Sequence, residues 1–284
     1  MKLINSSVEV IEPTGYTLQD IYEQIEFAGR TCYKSEDKIT EESAKGFVDR
    51  MIASKHNAML EHGTVYLRVP VNIEVASNYL DSFDTYTKMK LVSTHKFDLN
   101  GKSLNWWAIT TNYRVLVENG WLDDLKYLCE PTQYHEKRTT ARFICDRGVS
   151  HELVRHRVFS FAQESTRYCN YSKDKFGKEL TFIKPSWWKE EDNEVATLYI
   201  QPWRNIENCY LTLIENGIKP QDARAILPNA LKTEVVMTGF ESDWDHFFEL
   251  RCAKAAHPDM QKLANELYEE KIDYKNKQTY PRSI

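Results

Sequence analysis

The sequence contains few of the features that mark specialised protein classes. Six of its 284 residues are cysteines, widely spaced and without a C-x-x-C pair, so neither a zinc knuckle nor a redox dithiol is indicated. The chain has no run of about 20 apolar residues, and its first ten residues lack the basic region and apolar core of a signal peptide. We therefore expect a cytoplasmic protein with reduced cysteines and no membrane partner.

An excess of positive charge is also absent. Lys and Arg number 37 against 42 Asp and Glu, a net charge of −5, which argues against a generally basic nucleic-acid binder. The 10 glycines and 9 prolines are scattered, and no repeat or flexible linker divides the chain. Hydrophobic residues make up 42% of the chain, enough for a sizeable core. We expect a single catalytic domain over residues 1–284.

Helical and strand patterns alternate along the chain, which indicates the α+β class. Thr17 and Asp20 resemble a capping box at the start of a helix. Period-two alternation predicts a half-buried strand over Thr64–Val69 and another strand over Thr140–Cys145. Residues 106–119 look helical and stop at Gly120. Further predictions are helices over 44–52, 194–216 and from Pro258, a short helix from Pro220, a strand over 232–238, and a helix capped by Ser242 that runs to Arg251.

Positive charge is concentrated in one segment, residues 137–168, which holds seven basic and three acidic residues. A local cationic pocket in an acidic protein suits a small anionic ligand better than a nucleic-acid duplex. If a helix beginning near Ser150 stops around Arg157, then Arg155 and Arg157 can both donate to phosphate oxygens. The competing interpretation of this R-H-R triplet is a solvated basic helix end.

Hydrolytic chemistry is not indicated in the same segment. His151 and His156 are five residues apart, whereas zinc-binding histidines on one helix face are four apart, so no metal site is predicted. Ser165 has no G-x-S-x-G elbow around it. We interpret Ser165 as a hydroxyl that holds a ligand.

The R-H-R triplet at 155–157, separated from Ser165 by seven residues, resembles the signature of the flavin-dependent thymidylate synthase (ThyX) family. Matching motifs occur in the family's order on both sides of it. They are A-G-R-T-C-Y at 28–33, L-E-H at 60–62, A-R-x-x-L-P at 223–228 and F-F-E-L-R ending at Arg251. Residues 71–139 look like an inserted, helical segment relative to compact members.

The resemblance implies helices around an antiparallel sheet, assembled as a homotetramer with sites shared between subunits. It also implies a reaction in which the methylene of 5,10-methylenetetrahydrofolate passes to C5 of dUMP and is reduced by hydride from FADH2. NADPH would re-reduce the FAD cofactor. Clustered cations suit two phosphorylated ligands, and the flavin supplies redox chemistry that side chains lack.

Site residues follow from the resemblance one position at a time. Arg251 would be catalytic, promoting ionisation of the uracil at N3, although an isolated helix-end arginine is usually structural. His62 would line the flavin site; its alternative is a hydrogen-bonded histidine beneath the sheet. The substrate-binding set is Glu152, Arg155, Ser165, Arg167, Arg224 and Arg251, and the cofactor-binding set is His62, Thr64, Arg155, His156, Arg157, Gln163 and His246.

Several positions depart from the commoner family pattern. Glu152 stands where many members have Gln, and a carboxylate near a phosphate repels it unless it faces a cation or a base edge. Ala162 and Gln163 replace an Asn-Glu pair, and Phe240 and Ser242 replace Asn and Arg. Two other hypotheses therefore stay open: a nucleotide- or RNA-binding module without turnover, and a catalytically weakened family member.

Overall fold

The computed structural model describes residues 1–71, 75–81, 85–94, 104–188 and 193–279. The strands within these ranges are β1 (Lys2–Ile4), β2 (Ser7–Ile11), β3 (Thr64–Pro70), β4 (Lys88–Val92), β5 (Trp106–Asn112), β6 (Arg138–Asp146), β7 (Ser160–Gln163), β8 (Thr181–Ile183) and β9 (Lys232–Phe240). The α-helices are α1 (Leu18–Tyr33), α2 (Ser43–Ala53), α3 (Val75–Asp81), α4 (Tyr113–Asn119), α5 (Arg147–Leu153), α6 (Asn193–Glu215), α7 (Pro220–Ala223), α8 (Glu241–Arg251) and α9 (Pro258–Thr279).

The main sheet is antiparallel, with the strand order β2-β6-β9-β7. In β6, Ala141, Phe143 and Cys145 are buried on one face, which confirms the predicted alternation. They contact a core that includes Trp244 and Phe247 of α8. In β9 nearly every residue is buried, because the strand is internal to the sheet and both of its faces are covered. The predicted α+β class, with helices flanking an antiparallel sheet, is confirmed.

Within residues 71–139, which the sequence predicts to be an inserted helical segment, the described residues form strands as well as helices. The prediction of one helix over 106–119 is wrong in its first half, because β5 covers residues 106–112 and pairs with both β3 and β4. The β-branched run Ile109–Thr111 favours a strand, and pairing on both edges outweighs the helical pattern. Asn112 then caps α4, and Gly120 ends it with φ of 72°.

Strand β3 occupies the predicted position, but it is not half-buried. Of its residues only Arg68 is exposed, and Pro70 is partly so. One face contacts the core formed with α1 and α2. On the other face Tyr66 makes edge contacts with Tyr16 and His135, with ring centroids 5.7 and 5.6 Å apart. Alternation of apolar and polar residues along β3 therefore does not mean that one face is exposed, because other residues, Tyr16 and His135 among them, cover its outer face.

Two helices begin at different residues from those predicted. Helix α5 starts at Arg147 because Asp146 caps it, its side chain accepting from the Val149 N–H at 2.7 Å. It ends at Leu153, so the R-H-R triplet follows the helix. Helix α8 starts at Glu241, and Ser242 is not its N-cap; the Ser242 hydroxyl donates to Glu136 instead.

The remaining helix predictions hold in outline. The Thr17–Asp20 capping box at α1, helix α2, helix α6 with the following Gly217, and α7 starting at Pro220 are all confirmed. Helix α9 buries Leu263 and Leu267 as predicted, whereas the side chain of Ile272 lies outside the described residues. No helix within the described ranges is both long and apolar enough to cross a membrane.

Candidate active site

The segment after β7 lines a cavity of about 660 Å³, a size typical of small-ligand sites. Pairing with β9 fixes β7 at the edge of the main sheet, and the chain then turns through Ser165 and Arg167. We call this space the anion cavity. It is lined by Cys32, Tyr33, Ser54, Lys55, His56, Arg147, Gln163, Glu164, Ser165, Thr166, Arg167, Tyr168 and Arg224.

Backbone hydrogen bonds hold the cavity wall in place. The Ser165 N–H donates to the Cys32 carbonyl at 3.0 Å, which ties the segment after β7 to the end of α1. The Arg147 N–H donates to the Asn229 carbonyl at 2.8 Å, which ties the start of α5 to the segment before β9. Residues far apart in sequence are thereby positioned by main-chain contacts rather than by flexible side chains.

The charge of the anion cavity is positive. Its lining includes four cationic residues, Lys55, Arg147, Arg167 and Arg224, and one carboxylate, Glu164. Glu164 is already neutralised, because Lys232 donates to its Oε2 at 2.8 Å. The Nη1 atom of Arg147 is buried without a hydrogen-bond partner, which is costly in the absence of a ligand. Arg147 is among the residues that line the cavity, so its guanidinium adds to the positive charge there.

Nine of the thirteen cavity residues are absent from the predicted site, and Arg147, Cys32 and His56 are three of them. Arg147 belongs to the basic segment, and its place at the start of a helix capped by Asp146 is the signal in the sequence for a role at the site. Cys32 belongs to the A-G-R-T-C-Y motif. His56 lies six residues before the chosen His62; the structure places its ring in the cavity wall, with Nδ1 2.8 Å from the Tyr33 hydroxyl. His62 belongs to the L-E-H motif, whereas no pattern in the sequence marks His56.

A second group of predicted residues surrounds Arg251. We call Arg251, Glu152 and His156 the Arg251 cluster. The guanidinium donates from Nη1 to Glu152 Oε2 at 2.6 Å, from Nη2 to the Glu152 carbonyl at 2.9 Å, and from Nε to His156 Nε2 at 2.9 Å. The Glu152 carboxylate thus faces the Arg251 cation. This pairing offsets the repulsion of a bound phosphate that a carboxylate in place of Gln would otherwise cause.

His156 is held in one protonation state within this cluster. Its side chain is 9% exposed and lies against Phe247, with ring centroids 5.0 Å apart. Burial, and then the neighbouring charge of Arg251, lower the pKa of His156 to about 4. The imidazole is therefore neutral at pH 7, as an acceptor of the Arg251 N–H must be.

Other predicted cofactor residues lie on the surface of this region. Arg155 and Arg157 are exposed just beyond α5, and His246 on α8 is 65% exposed. Gln163 lines the anion cavity, but its amide already donates to Ser150 Oγ at 2.9 Å and more weakly to Thr233. Because Arg155 and Arg157 are exposed, a phosphorylated ligand in solution can reach both side chains.

His62 and Thr64 do not line the anion cavity. His62 is 1% exposed, its Nδ1 lies 2.8 Å from Thr238 Oγ1, and burial followed by the charge of Arg138 lowers its pKa to about 3. This environment matches the alternative interpretation of His62, a hydrogen-bonded histidine beneath the sheet. Thr64 lines a different cavity, of about 430 Å³, together with Tyr66 and Arg138.

Comparison with known proteins gives a family match over residues 135–273, to the model described as "Thymidylate synthase complementing protein". A flavin-dependent thymidylate synthase from Geobacter sulfurreducens is 33% identical over 121 residues, covering 43% of this chain and 50% of the relative. One from Thermococcus kodakarensis is 35% identical over 146 residues, covering 51% of this chain and 58% of the relative. The match confirms the resemblance inferred from the motifs. The chain spans about half the length of the curated relatives it matches.

A solved structure of a UMP/dUMP methylase, PolB from Streptomyces cacaoi bound with 5-Br dUMP, aligns over 100% of this chain and 99% of its own. Its TM-score is 0.45 and its sequence identity is 15%. Every predicted site residue except His62 and Thr64 falls within the family-matched range 135–273.

Proposed function

We propose that this protein is a flavin-dependent thymidylate synthase that methylates dUMP, because residues 135–273 match the family model described as "Thymidylate synthase complementing protein". The observation that carries the proposal is the anion cavity, where Ser165, Arg167 and Arg224 of the family motifs converge with a buried Arg147 donor that has no partner. The domain is proposed as one catalytic unit over 1–284, with the insertion at about 71–139.

The anion cavity would take the phosphate of dUMP. Each arginine guanidinium can donate two parallel N–H hydrogen bonds to phosphate oxygens, and Ser165 adds a hydroxyl donor. Each charge-assisted hydrogen bond contributes about 1.5–3 kcal/mol to binding. The single carboxylate in the lining is neutralised by Lys232, so it does not oppose the bound phosphate.

Arg155, Arg157 and His246 fit the FAD cofactor best, because they are exposed and two of them are cations suited to its phosphates. His156 and His62 do not fit a direct contact in this chain, since both are buried and each already has a hydrogen bond at one ring nitrogen. When bound, the flavin would supply hydride for reduction of the transferred one-carbon unit. 5,10-Methylenetetrahydrofolate as the donor and NADPH as the reductant complete the proposal.

Arg251 would stabilise the negative charge that develops on the pyrimidine, because its guanidinium stays protonated and is only 16% exposed. Arg251 is not among the residues that line the anion cavity, although both groups are proposed to hold dUMP. This separation supports an assembly in which one subunit supplies the anion cavity and another supplies Arg251. A homotetramer with shared sites meets that requirement.

Two measurements test the proposal together. The purified protein should bind FAD, and with dUMP, methylenetetrahydrofolate and NADPH it should release tritium from [5-³H]dUMP and form dTMP. A folded protein that binds neither FAD nor dUMP contradicts the proposal. Tight binding to oligonucleotides that weakens steeply with salt, without turnover, would favour the binding-module hypothesis instead. FAD and dUMP binding with very slow tritium release would indicate a weakened enzyme.

A further inference from the structure

Arg251 is held on three sides by its own chain. Its Nε, Nη1 and Nη2 atoms each donate one hydrogen bond, to His156 Nε2, Glu152 Oε2 and the Glu152 carbonyl respectively. An arginine side chain carries five N–H donors, so two remain, one on Nη1 and one on Nη2. The guanidinium is therefore oriented before any ligand arrives, and it still has donors to offer.

The partners of Arg251 are themselves immobilised. Glu152 belongs to the last turn of α5, and its carbonyl also accepts from the Arg155 N–H at 3.4 Å, just beyond the helix. His156 is fixed by its backbone N–H, which donates to the Leu153 carbonyl at 3.1 Å, and by ring contacts with Phe159 and Phe247. Helix α8, which carries Arg251, is thereby linked to the end of α5 through one side chain.

We propose that Glu152 and His156 are positioning residues for Arg251, not ligands of dUMP or FAD. The proposal rests on the proposed function, because it is the dUMP site that Arg251 would serve. Glu152 supplies an oxygen acceptor for Arg251 Nη1, and neutral His156 supplies an acceptor at Nε2. Preorientation lowers the cost of ordering a long side chain when the ligand binds.

A double-mutant cycle on dUMP affinity distinguishes positioning from direct contact. Calorimetry would compare the wild type, Glu152→Ala, Arg251→Ala and the double variant. If Glu152 acts through Arg251, then Glu152→Ala weakens dUMP binding about tenfold, and the double variant matches Arg251→Ala within about twofold. If the losses of the two single variants multiply in the double variant, Glu152 contacts dUMP independently and the proposal is wrong.

Conservative and surface variants complete the cycle. Glu152→Gln keeps an oxygen acceptor for Arg251 Nη1, so we expect it to recover most of the affinity lost in Glu152→Ala. Glu266→Ala removes an exposed carboxylate whose pairing with Lys262 is 3.9 Å long, and it should leave affinity unchanged. A Glu152→Gln variant as weak as Glu152→Ala would contradict the positioning role.

A ligand-free measurement separates this proposal from the proposed function. Nitrogen NMR of His156 at pH 7 should show a neutral ring with its proton on Nδ1, and Arg251→Ala should abolish that preference. A proton on Nε2 in the wild type overturns the positioning role whether or not dUMP binds. The predicted NMR result in a protein that binds no dUMP would reject the proposed function and leave the contact itself established.

Discussion

The anion cavity and the Arg251 cluster use the same residue type in opposite ways. In the cavity, Arg147, Arg167 and Arg224 have no carboxylate within ion-pair distance among the described residues, and one guanidinium nitrogen is buried without any partner. In the cluster, Arg251 is paired with a carboxylate and an imidazole. Unpaired cations provide affinity for an anion, whereas a paired cation provides a fixed direction for its remaining donors.

The largest expected effect concerns the paired arginine. Arg251→Ala should reduce tritium release from [5-³H]dUMP by about 10²–10³-fold, the usual loss when one transition-state donor is removed. Thermal unfolding checks that the fold persists, and Arg204→Ala on α6, where the side chain is exposed, serves as the matched control. Unaltered turnover in Arg251→Ala would refute its catalytic role.

The unpaired arginines should act on affinity. Arg147→Ala should weaken dUMP binding by about 10–100-fold, because one or two charge-assisted hydrogen bonds to the phosphate are lost. Deoxyuridine, which lacks the phosphate, should bind the variant and the wild type equally, as calorimetry can measure. An equal loss for both ligands would mean that Arg147 holds the base or the fold rather than the phosphate.

Packing beneath the Arg251 cluster can be perturbed without touching the anion cavity. A Cβ at Gly239 would lie 2.3 Å from a ring carbon of Phe159, which is buried and contacts His156. Gly239→Ala should therefore lower the free energy of unfolding by about 1–3 kcal/mol in urea denaturation. Gly46→Ala on α2, whose Cβ meets nothing closer than 3.6 Å, should instead be neutral or slightly stabilising.

The smallest effect concerns pH. The folded-state pKa of His156, about 4, lies below its usual value of 6.5, so the unfolded state binds the proton more readily. The contribution of His156 to the free energy of unfolding is complete above pH 6.5 and is lost as pH falls towards 4. His62, with its pKa lowered to about 3, acts in the same direction.

The variant Arg251→Ala lacks the charge that is the second cause of the lowered His156 pKa. Its loss of unfolding free energy between pH 7 and 4.5 should therefore be smaller than that of the wild type by about 1 kcal/mol. Denaturant titrations at both pH values measure it, and an identical loss in both proteins would contradict the contact.

Prediction from sequence succeeded where a local signal dominates. The Thr17–Asp20 capping box places the start of α1 correctly, because a cap satisfies backbone donors within a few residues. Residues 106–112 were predicted wrongly as a helix, because their strand conformation depends on pairing with β3 and β4, which no local pattern records.

The same distinction applies to the site. The motifs identify Ser165, Arg167 and Arg224, which line one cavity. The flavin role of His62 and Thr64 stays a prediction, and neither residue lines that cavity. His56, which does, carries no distinguishing local signal. Motif spacing identifies residue types along the chain, and the folding of separate segments onto one another decides which of two nearby histidines faces a cavity.

The order of residues along the chain determined which residue types the predicted site contains. They are the cations around R-H-R, a serine separated from that triplet by seven residues, and the arginine at the end of F-F-E-L-R. The folded arrangement alone decided how those charges are used. Glu152 and His156 come within hydrogen-bond reach of Arg251 because the end of α8 lies near the end of α5, while Arg147 Nη1 is buried without gaining a partner. Electrostatic pairing depends on distances between atoms and on exclusion of water, and neither quantity exists until distant segments are packed together.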